Sequence, residues 1–167
     1  MADLYQGNGW RMSEDEAPLL NGGTKKAIRF HRSDTVHILA LPTPKTALLL
    51  REYRPFFAEW VWMIPSGKAD KETDVHVAAQ RELREETGFR AGSLQLLHSC
   101  NHSETFDYQN LLFLAKDLLP DPLPQDPDEH LEVHELPLEE ALERVLTCKR
   151  LHPLSALCLL RYLYKPS

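Results

Sequence analysis

The sequence predicts one α/β or α+β sandwich domain, because short β-rich segments are interrupted by only a few helical ones. Its 167 residues are the length of a single domain, which buries about 70% of its unfolded surface. A content of 43% hydrophobic and 26% charged residues is that of an ordinary globular protein. The chain contains no internal repeat or low-complexity tract. We therefore expect mixed strands with few helices.

The N-terminal half of the chain predicts two β-hairpins. Trp10–Ala17 and Thr24–His31 are separated by the sequence LNGG, in which the glycines are a strong turn signal. Thr35–Leu41 and Ala47–Tyr53 are rich in β-forming residues and flank a PTP segment. This second pair of strands is also predicted to form a hairpin.

Capping residues and apolar periodicity predict three helices. The first runs over about Asp74–Thr87, with Thr73 as its N-cap and Gly88 just beyond its C-terminus. Leu138–Leu146 has apolar residues at i, i+3, i+4, i+7 and i+8, and Leu154–Tyr164 is predicted as the last helix. The remaining predicted strands are Trp60–Ile64, Ser93–Asn101, Asn110–Asp117 and His130–Leu136.

Charge and composition argue against several classes of function. The net charge of −6, with no long basic run, leads us to expect neither nucleic acid nor a membrane as partner. The first residues, MADLYQGNGWRMSEDE, lack the apolar region of a secretory signal, and the apolar runs are too short to span a membrane. Three cysteines without a CxxC pair predict reduced thiols and a cytoplasmic protein.

Three glutamates, Glu82, Glu85 and Glu86, lie within five positions of the first predicted helix. At about 100° per residue they continue its apolar stripe and point inward, whereas Arg81 and Arg84 are predicted on the opposite face. Like charges at i,i+4 and anions at a helix C-terminus each cost roughly 0.2–1 kcal/mol. A cluster that opposes both rules predicts a site for a hard divalent cation, Mg²⁺ or Mn²⁺.

The sequence around these glutamates resembles the signature of the Nudix hydrolase family. GKADKETDVHVAAQRELREETGF, residues 67–89, follows the pattern G-x5-E-x7-R-E-U-x-E-E-x-G-U, in which U is apolar. One position departs, because the first glutamate of the pattern falls on Thr73, with Glu72 one place early. The flanking segments WRMSEDEAPLLNGGTKKAIRF, TVHILAL, ALLLREYRPFF and HLEVHELPLEEALE resemble the ADP-ribose and nucleoside diphosphate sugar pyrophosphatase branch.

The resemblance implies the Nudix fold, an α/β/α sandwich around a mixed β-sheet, preceded here by an N-terminal β-hairpin. We divide the chain into a hairpin segment, residues 1–32, and a Nudix hydrolase domain, residues 33–167. In this branch such a hairpin makes much of a dimer interface. A hairpin alone is too small to bury its apolar side, so we expect a homodimer.

The resemblance also implies the chemistry. The expected reaction is Mg²⁺- or Mn²⁺-dependent hydrolysis of the pyrophosphate bond in nucleoside diphosphate sugars such as ADP-ribose, ADP-glucose or GDP-mannose. Its products are a nucleoside monophosphate and a sugar phosphate. The implied metal ligands are Glu82, Glu85, Glu86 and the carbonyl of Ser66. The alternative is a Nudix-fold nucleotide-binding module or sensor without turnover, which only the departure from the pattern supports.

The general base is expected from the acidic loop PDEHLEV. Glu129 and Asp128 are the candidates, while the position of the usual base of the branch falls near Pro127. Glu85 is a further catalytic candidate because it can supply oxygens beside the other two glutamates. The choice among these residues stays open at this point.

Four residues are candidates for substrate binding. Arg54 matches an arginine that holds the diphosphate in relatives, with a surface ion pair as the alternative. Trp60 can stack on a base or belong to the core. Trp10 and Arg29, in the hairpin, can reach the nucleotide pocket of the partner subunit.

The segment SCNHSETFDYQN bears on the terminal sugar. The ADP-ribose subgroup carries a proline about sixteen residues beyond the signature, where this chain has Thr105. We therefore expect ADP-ribose to be accepted without being clearly preferred. The candidates for sugar contacts are His102, Glu104 and Tyr108.

A rival metal site is possible on the same segment. His98, Cys100 and His102 alternate along one predicted strand and so face one side, in a combination that suits zinc. The fourth ligand and the usual CxxC spacing are absent from the sequence. The glutamate cluster is therefore the stronger candidate.

Overall fold

A computed structural model describes residues 2–101 and 103–164, which form eleven strands and three helices. The N-terminal strands are β1 (Ala2–Gly7), β2 (Trp10–Pro18) and β3 (Thr24–His31). The strands that follow are β4 (Thr35–Ala40), β5 (Thr46–Arg54), β6 (Glu59–Met63), β7 (Ser66–Lys68), β8 (Phe89–Cys100), β9 (Phe106–Asp107), β10 (Asn110–Pro120) and β11 (Leu131–Pro137). The helices are α1 (Val75–Thr87), α2 (Leu138–Thr147) and α3 (Pro153–Leu163).

Two sheets form the middle layer of the domain. In the first, the order is β7-β4-β10-β8, with β4 and β10 parallel and the outer pairs antiparallel. In the second, β5 lies between β11 and β6, and both pairs are antiparallel. The mixed strand directions confirm the predicted α/β class.

The second predicted hairpin, between Thr35–Leu41 and Ala47–Tyr53, is wrong. β4 and β5 belong to different sheets, because β7 and β10 take both edges of β4 while β6 and β11 take both edges of β5. Neither strand has an edge left for the other. Two apolar strands joined by a short turn are as compatible with a change of sheet as with a hairpin, so the local pattern could not decide between them.

Helices cover both faces of this middle layer, as the predicted α/β/α sandwich requires. Successive side chains of β4 point to opposite faces of the sheet. Ile38 lies in the core beneath α1, together with Leu83 and Phe113. Leu39 lies in the core beneath α2 and α3, together with Val145. All five side chains are fully buried. Each contributes roughly 1.5–3 kcal/mol relative to exposure.

Asp74 is the N-cap of α1, and the prediction of Thr73 at this position is wrong. The Asp74 carboxylate accepts a hydrogen bond from the His76 N–H at 2.8 Å. A carboxylate and a threonine hydroxyl can both cap a helix, but only the carboxylate carries a negative charge that interacts favourably with the positive end of the helix dipole. At the other end Gly88 is in the left-handed conformation, with φ 78°, and its N–H bonds to the Arg84 carbonyl, as predicted.

The N-terminal sheet has the order β1-β2-β3-β9 and contains the predicted first hairpin, β2 and β3. The strand β1 was not predicted, because it is short and mostly exposed and lacks a regular alternation of apolar and polar residues. The two-residue strand β9 joins β3 in parallel, and the Asp107 carboxylate lies 2.9 Å from both His31 Nδ1 and Arg29 Nη2. In the part of the chain that is described, no helix is long and apolar enough to cross a membrane.

Replacing Gly88 by alanine should destabilise the protein without changing its fold. A left-handed backbone costs a non-glycine residue about 1–2 kcal/mol, and the added Cβ would meet only Pro122, at 3.8 Å. Urea unfolding should show this loss with an unchanged m-value. Gly23→Ala is the matched control, because the φ of Gly23 is not positive. Equal losses in the two variants would contradict the role of the left-handed cap.

Candidate active site

A cavity of about 580 Å³ opens between the C-terminal half of α1, the strands β4, β5 and β7, and the loop before β11. Its volume lies within the usual range of ligand sites, roughly 300–1,000 Å³. Its acidic lining residues are Glu52, Asp70, Glu82, Glu86, Asp126 and Glu129. Its basic lining residues are Arg32, Arg54, Lys68, Lys71 and Arg81.

The carboxylates of α1 point inward, as the helical periodicity predicted. Glu82 and Glu86 are buried, with 9% and 5% of their surface exposed. Glu86 accepts a hydrogen bond from the Ser66 N–H at 2.8 Å, which fixes the bend between β6 and β7 against the helix. Glu85 is less deeply placed, with 18% of its side chain exposed.

The prediction that Arg81 lies on the opposite face of α1 is wrong. Its guanidinium turns back to the carboxylates and lies 2.6 Å from Glu72, 2.9 Å from Glu82 and 2.7 Å from Glu85. Helical periodicity fixes only the direction of Cβ, and an arginine side chain is long enough to reverse it. Burial alone would lower the pKa of Arg81, but the bond to Glu72 and the neighbouring charges raise it above its ordinary value.

The absence of a side chain at Gly67 allows the Glu82 carboxylate to lie close to the backbone of β7. A Cβ at this position would lie 2.1 Å from the carboxyl carbon of Glu82, which is a forbidden overlap. Only glycine lets backbone and carboxylate approach this closely. The glycine of the signature therefore has a packing reason that concerns the site directly.

Four carboxyl groups around the cavity have raised pKa values, in each case first because of burial. The pKa of Glu82 rises to about 7, and that of Glu86 rises well above its ordinary value. The pKa values of Glu52 and Glu129 are raised as well, and Glu129 contributes to the shift of each of the other three. The group is therefore short of nearby positive charge.

This donor set fits a hard divalent cation in its chemistry, since it consists of buried carboxylate oxygens that lack sufficient counter-charge. Glu82, Glu85, Glu86 and the Ser66 carbonyl could hold such an ion, and Glu129 lines the same cavity. Across residues 2–101 and 103–164, no three His, Cys, Asp or Glu side chains converge as a preformed metal centre. The contacts of Glu82 and Glu85 with Arg81 and of Glu86 with Ser66 occupy these carboxylates instead.

Arg54 lines the cavity, where its guanidinium lies 2.8 Å from the Glu52 carboxylate and contacts the Met63 sulfur at 3.1 Å. Arg54 therefore forms an ion pair and also lines the cavity. Sequence reasoning missed Glu52, although a glutamate two residues before Arg54 on a strand shares its face.

In the acidic loop, Glu129 lines the cavity and Asp128 does not. The N–H of Glu129 bonds to the Asp126 carbonyl at 3.1 Å, so Asp126 helps to shape the turn. Asp126 also lines the cavity and was missed, because three acids within four positions look alike in the sequence.

Three predicted substrate-binding residues lie outside the cavity of their own subunit. Trp60 is partly exposed and packs against Tyr53 and beneath the Arg51 guanidinium. Trp10 packs edge-on against aromatic rings of the N-terminal sheet and its neighbouring loop. Arg29 pairs with carboxylates of β2 and β9.

The segment after β8 contributes Tyr108 to the cavity. Glu104 is exposed and pairs with Lys25 on β3. His102 lies outside the described residues, so neither its sugar contact nor its part in the rival zinc site is described. His98 and Cys100 lie on β8, as predicted.

Comparison with known proteins identifies the family. A model described as "NUDIX domain" matches residues 31–156, and the chain belongs to the Nudix family. An ADP-ribose pyrophosphatase of Bacillus subtilis is 29% identical over 145 residues, covering 85% of this chain and 78% of the relative. An ADP-ribose pyrophosphatase of Mycobacterium tuberculosis is 26% identical, covering 86% of this chain and 71% of the relative.

Two further matches extend over almost the whole chain. A methanol dehydrogenase activator of Bacillus methanolicus is 29% identical over 163 residues, covering 96% of this chain and 88% of the relative. A solved structure of an ADP compounds hydrolase superposes with a TM-score of 0.78 at 25% identity, covering 98% of this chain and 90% of that one. The chain is therefore a Nudix pyrophosphohydrolase by class, and its similarity extends to two ADP-ribose pyrophosphatases and to an ADP compounds hydrolase.

Replacing Glu86 by glutamine should raise the Tm of the metal-free protein at pH 8. Because the pKa of Glu86 is raised in the fold, its ionisation lowers stability as the pH rises from about 4.5 through the folded-state pKa. Glutamine keeps an acceptor for the Ser66 N–H and carries no charge. We expect a gain of several degrees, since about 1 kcal/mol corresponds to roughly 2–4 °C in a domain of this size.

Calorimetry in EDTA at several pH values measures this gain, which should vanish near pH 4, where the wild-type carboxyl is protonated. Glu139→Gln is the control, because Glu139 is an exposed carboxylate on α2. A gain that did not depend on pH would contradict the electrostatic explanation.

Proposed function

We propose that this protein hydrolyses ADP-ribose and related nucleoside diphosphate sugars to a nucleoside monophosphate and a sugar phosphate, with Mg²⁺ or Mn²⁺ as cofactor. The observation that carries the proposal is the buried pair Glu82 and Glu86, which lies on one wall of a cavity that Arg54 also lines. Similarity to two ADP-ribose pyrophosphatases supports the choice of substrate.

The residues proposed to hold the cation are Glu82, Glu85, Glu86 and the Ser66 carbonyl. When bound, a divalent cation neutralises pyrophosphate oxygens and lowers the pKa of a water molecule. Arg81 keeps Glu82 and Glu85 oriented toward each other, and Gly67 leaves the room that Glu82 needs. These contacts position the carboxylates before substrate arrives.

Arg54 is proposed to bind the diphosphate. It lines the cavity, and a guanidinium can bond two phosphate oxygens at once. Its present partner is Glu52, whose pKa is raised because of burial. The charged form of Glu52 is therefore destabilised by desolvation even in the ion pair with Arg54. An anionic substrate would compete with Glu52 for the guanidinium.

Glu129 is the proposed general base, in preference to Asp128. Glu129 lines the cavity, and burial, followed by the charge of Asp126, raises its pKa. A carboxylate with a pKa closer to neutrality accepts a proton more effectively at pH 7. The charges of Arg54 and Glu85 also act on the pKa of Glu129, which supports a role for Glu129 near the proposed cation and diphosphate.

A cytoplasmic homodimer is the proposed assembly. All three cysteines are free of disulfides, as expected of a protein in a reducing compartment. On the N-terminal sheet, the register aligns Tyr5, Met12 and Phe30 on one face, and alternation adds Ile28. Tyr5 and Ile28 are 51% and 40% exposed, so this face offers an apolar surface to a second copy.

A hydrolysis assay tests the proposed reaction. With ADP-ribose and Mg²⁺, the wild-type protein should release AMP and ribose 5-phosphate, and EDTA should abolish the release. Glu86→Gln and Glu129→Gln should each lower kcat by roughly 100-fold or more, because each removes a charge from the reacting centre. Glu139→Gln should keep full activity.

The same assay separates the alternatives. Tight binding of ADP-ribose without release would instead support a binding module without turnover. The kcat/KM values for ADP-ribose, ADP-glucose and GDP-mannose should lie within about 100-fold of each other, roughly 2.7 kcal/mol. A larger preference for ADP-ribose would contradict the expectation drawn from Thr105.

Replacing Ile28 by glutamate should dissociate the dimer. The substitution places a charge in the apolar face of the N-terminal sheet, where a partner would desolvate it. Sedimentation velocity should show a dimer for the wild type and a monomer for Ile28→Glu. Ala27→Glu is the matched control, because Ala27 is exposed on the opposite face of the same strand. A wild-type monomer would contradict the proposed assembly.

A further inference from the structure

A group of polar residues without formal charge lines part of the cavity, and we call Thr35, His37, Asn110 and His152 the polar wall. Thr35 donates its hydroxyl proton to Asn110 Oδ1 at 2.9 Å, so the 3.1 Å bond between Thr35 and His37 must take its proton from His37 Nε2. Asn110 Nδ2 in turn donates to the Cys100 carbonyl at 3.3 Å. These directional bonds hold the wall rigid.

His152 belongs to this wall but is fixed by a separate set of bonds. Its Nδ1 accepts a hydrogen bond from the Ser155 N–H at 3.3 Å, which caps α3. The fully buried Ser155 hydroxyl accepts from the Ile64 N–H at 2.9 Å and lies 2.7 Å from the same Nδ1. Nδ1 is therefore an acceptor, and the proton of the neutral ring is on Nε2.

Because His152 lines the cavity and its Nδ1 is used in capping α3, the Nε2–H group is the donor that it can offer to a ligand. Nδ1 is turned toward α3, and in the described part of the chain Nε2 makes no hydrogen bond. Burial, and after it the charge of Arg54, lowers the pKa of His152 to about 4, so the ring is neutral at pH 7. Its ring lies 5.6 Å from that of His37, which makes the two imidazoles one continuous surface.

We propose that the polar wall, with His152 Nε2–H as its donor, binds the hydroxyl groups of the second, non-nucleotide sugar of the substrate. This assignment rests on the proposed function, and it names a binding residue that neither the Nudix signature nor the acidic loop contains. A sugar hydroxyl both donates and accepts hydrogen bonds, so it matches a wall that offers a neutral donor among oxygen and nitrogen acceptors.

The other parts of a nucleoside diphosphate sugar fit elsewhere in the cavity. The diphosphate requires positive charge, which Arg54, Lys68 and Lys71 supply on the side of the glutamates. A base requires a flat face, and the Arg32 guanidinium stacked 4.7 Å from the Tyr108 ring provides one. His152 is near Arg54, so a sugar bound there would be joined directly to the bound diphosphate.

Two substrates and three variants test this assignment. ADP-ribose is compared with the β-methyl ester of ADP, which keeps the base and the diphosphate but lacks the second sugar. His152→Asn keeps an acceptor that caps α3 but withdraws the donor from the cavity. His152→Gln keeps a longer side chain with an N–H donor. His134→Asn is the control, because His134 packs on Trp62 outside the cavity.

His152→Asn should lower kcat/KM for ADP-ribose by roughly 10- to 100-fold and change kcat/KM for methyl ADP by less than about threefold. His152→Gln should recover part of the loss, and His134→Asn should change neither substrate. Equal losses on both substrates would place His152 against the base or the diphosphate and overturn the proposal. No loss on ADP-ribose would overturn it as well.

The failure of the proposed function gives a different result, namely a wild-type protein that hydrolyses neither compound. Calorimetric titration with the same two compounds then decides the inference. Weaker binding of ADP-ribose alone to His152→Asn, by about tenfold or more, supports the sugar contact. Unchanged binding of ADP-ribose overturns it. Thermal unfolding of each variant shows whether the fold is intact.

Discussion

The structure depends on how the negative charge on the inward face of α1 is balanced. Arg81 gathers Glu72, Glu82 and Glu85 around one guanidinium, and these short ion pairs offset much of the desolvation that burial imposes on the carboxylates. One cation cannot neutralise the whole group. Burial and the charge of Glu82 raise the pKa of Glu86, and the hydrogen bond from the Ser66 N–H opposes this shift only in part. The charge that remains explains why the cavity suits a divalent cation.

Such a helix is locally unfavourable and is held in place by packing. Ala78 and Ala79 are fully buried and small enough to let α1 approach the sheet closely, and Leu83 is fully buried in the core beneath the helix. On the side of β7, Gly67 has no Cβ that would overlap the Glu82 carboxylate. Around the departure from the signature at Thr73, Glu72 pairs with Arg81 and Asp74 caps the helix.

Local signals made most elements of the fold and the β2–β3 hairpin predictable, whereas the pairing of strands distant in the sequence was not. The C-terminal glycine and the periodicity of α1 and the glycine-rich turn between β2 and β3 are encoded within a few residues. The partners of β4 and β5 depend on strands that lie far away in the sequence, so the proposed hairpin between them failed. The site shows the same division. Glu82 and Glu86 follow from one helix, but Glu52 and His152 join them only through the tertiary fold.

The N-terminal sheet contributes to the site as well as to the proposed interface. Its strand β3 holds β9 through the contacts of His31 and Arg29 with Asp107. The next residue, Tyr108, lines the cavity and stacks with Arg32, whose guanidinium also lies 5.1 Å from the Trp10 ring. Because these contacts join the sheet to the wall of the cavity, the position of Tyr108 depends on the hairpin. An association that orders the hairpin would therefore also order this end of the substrate site.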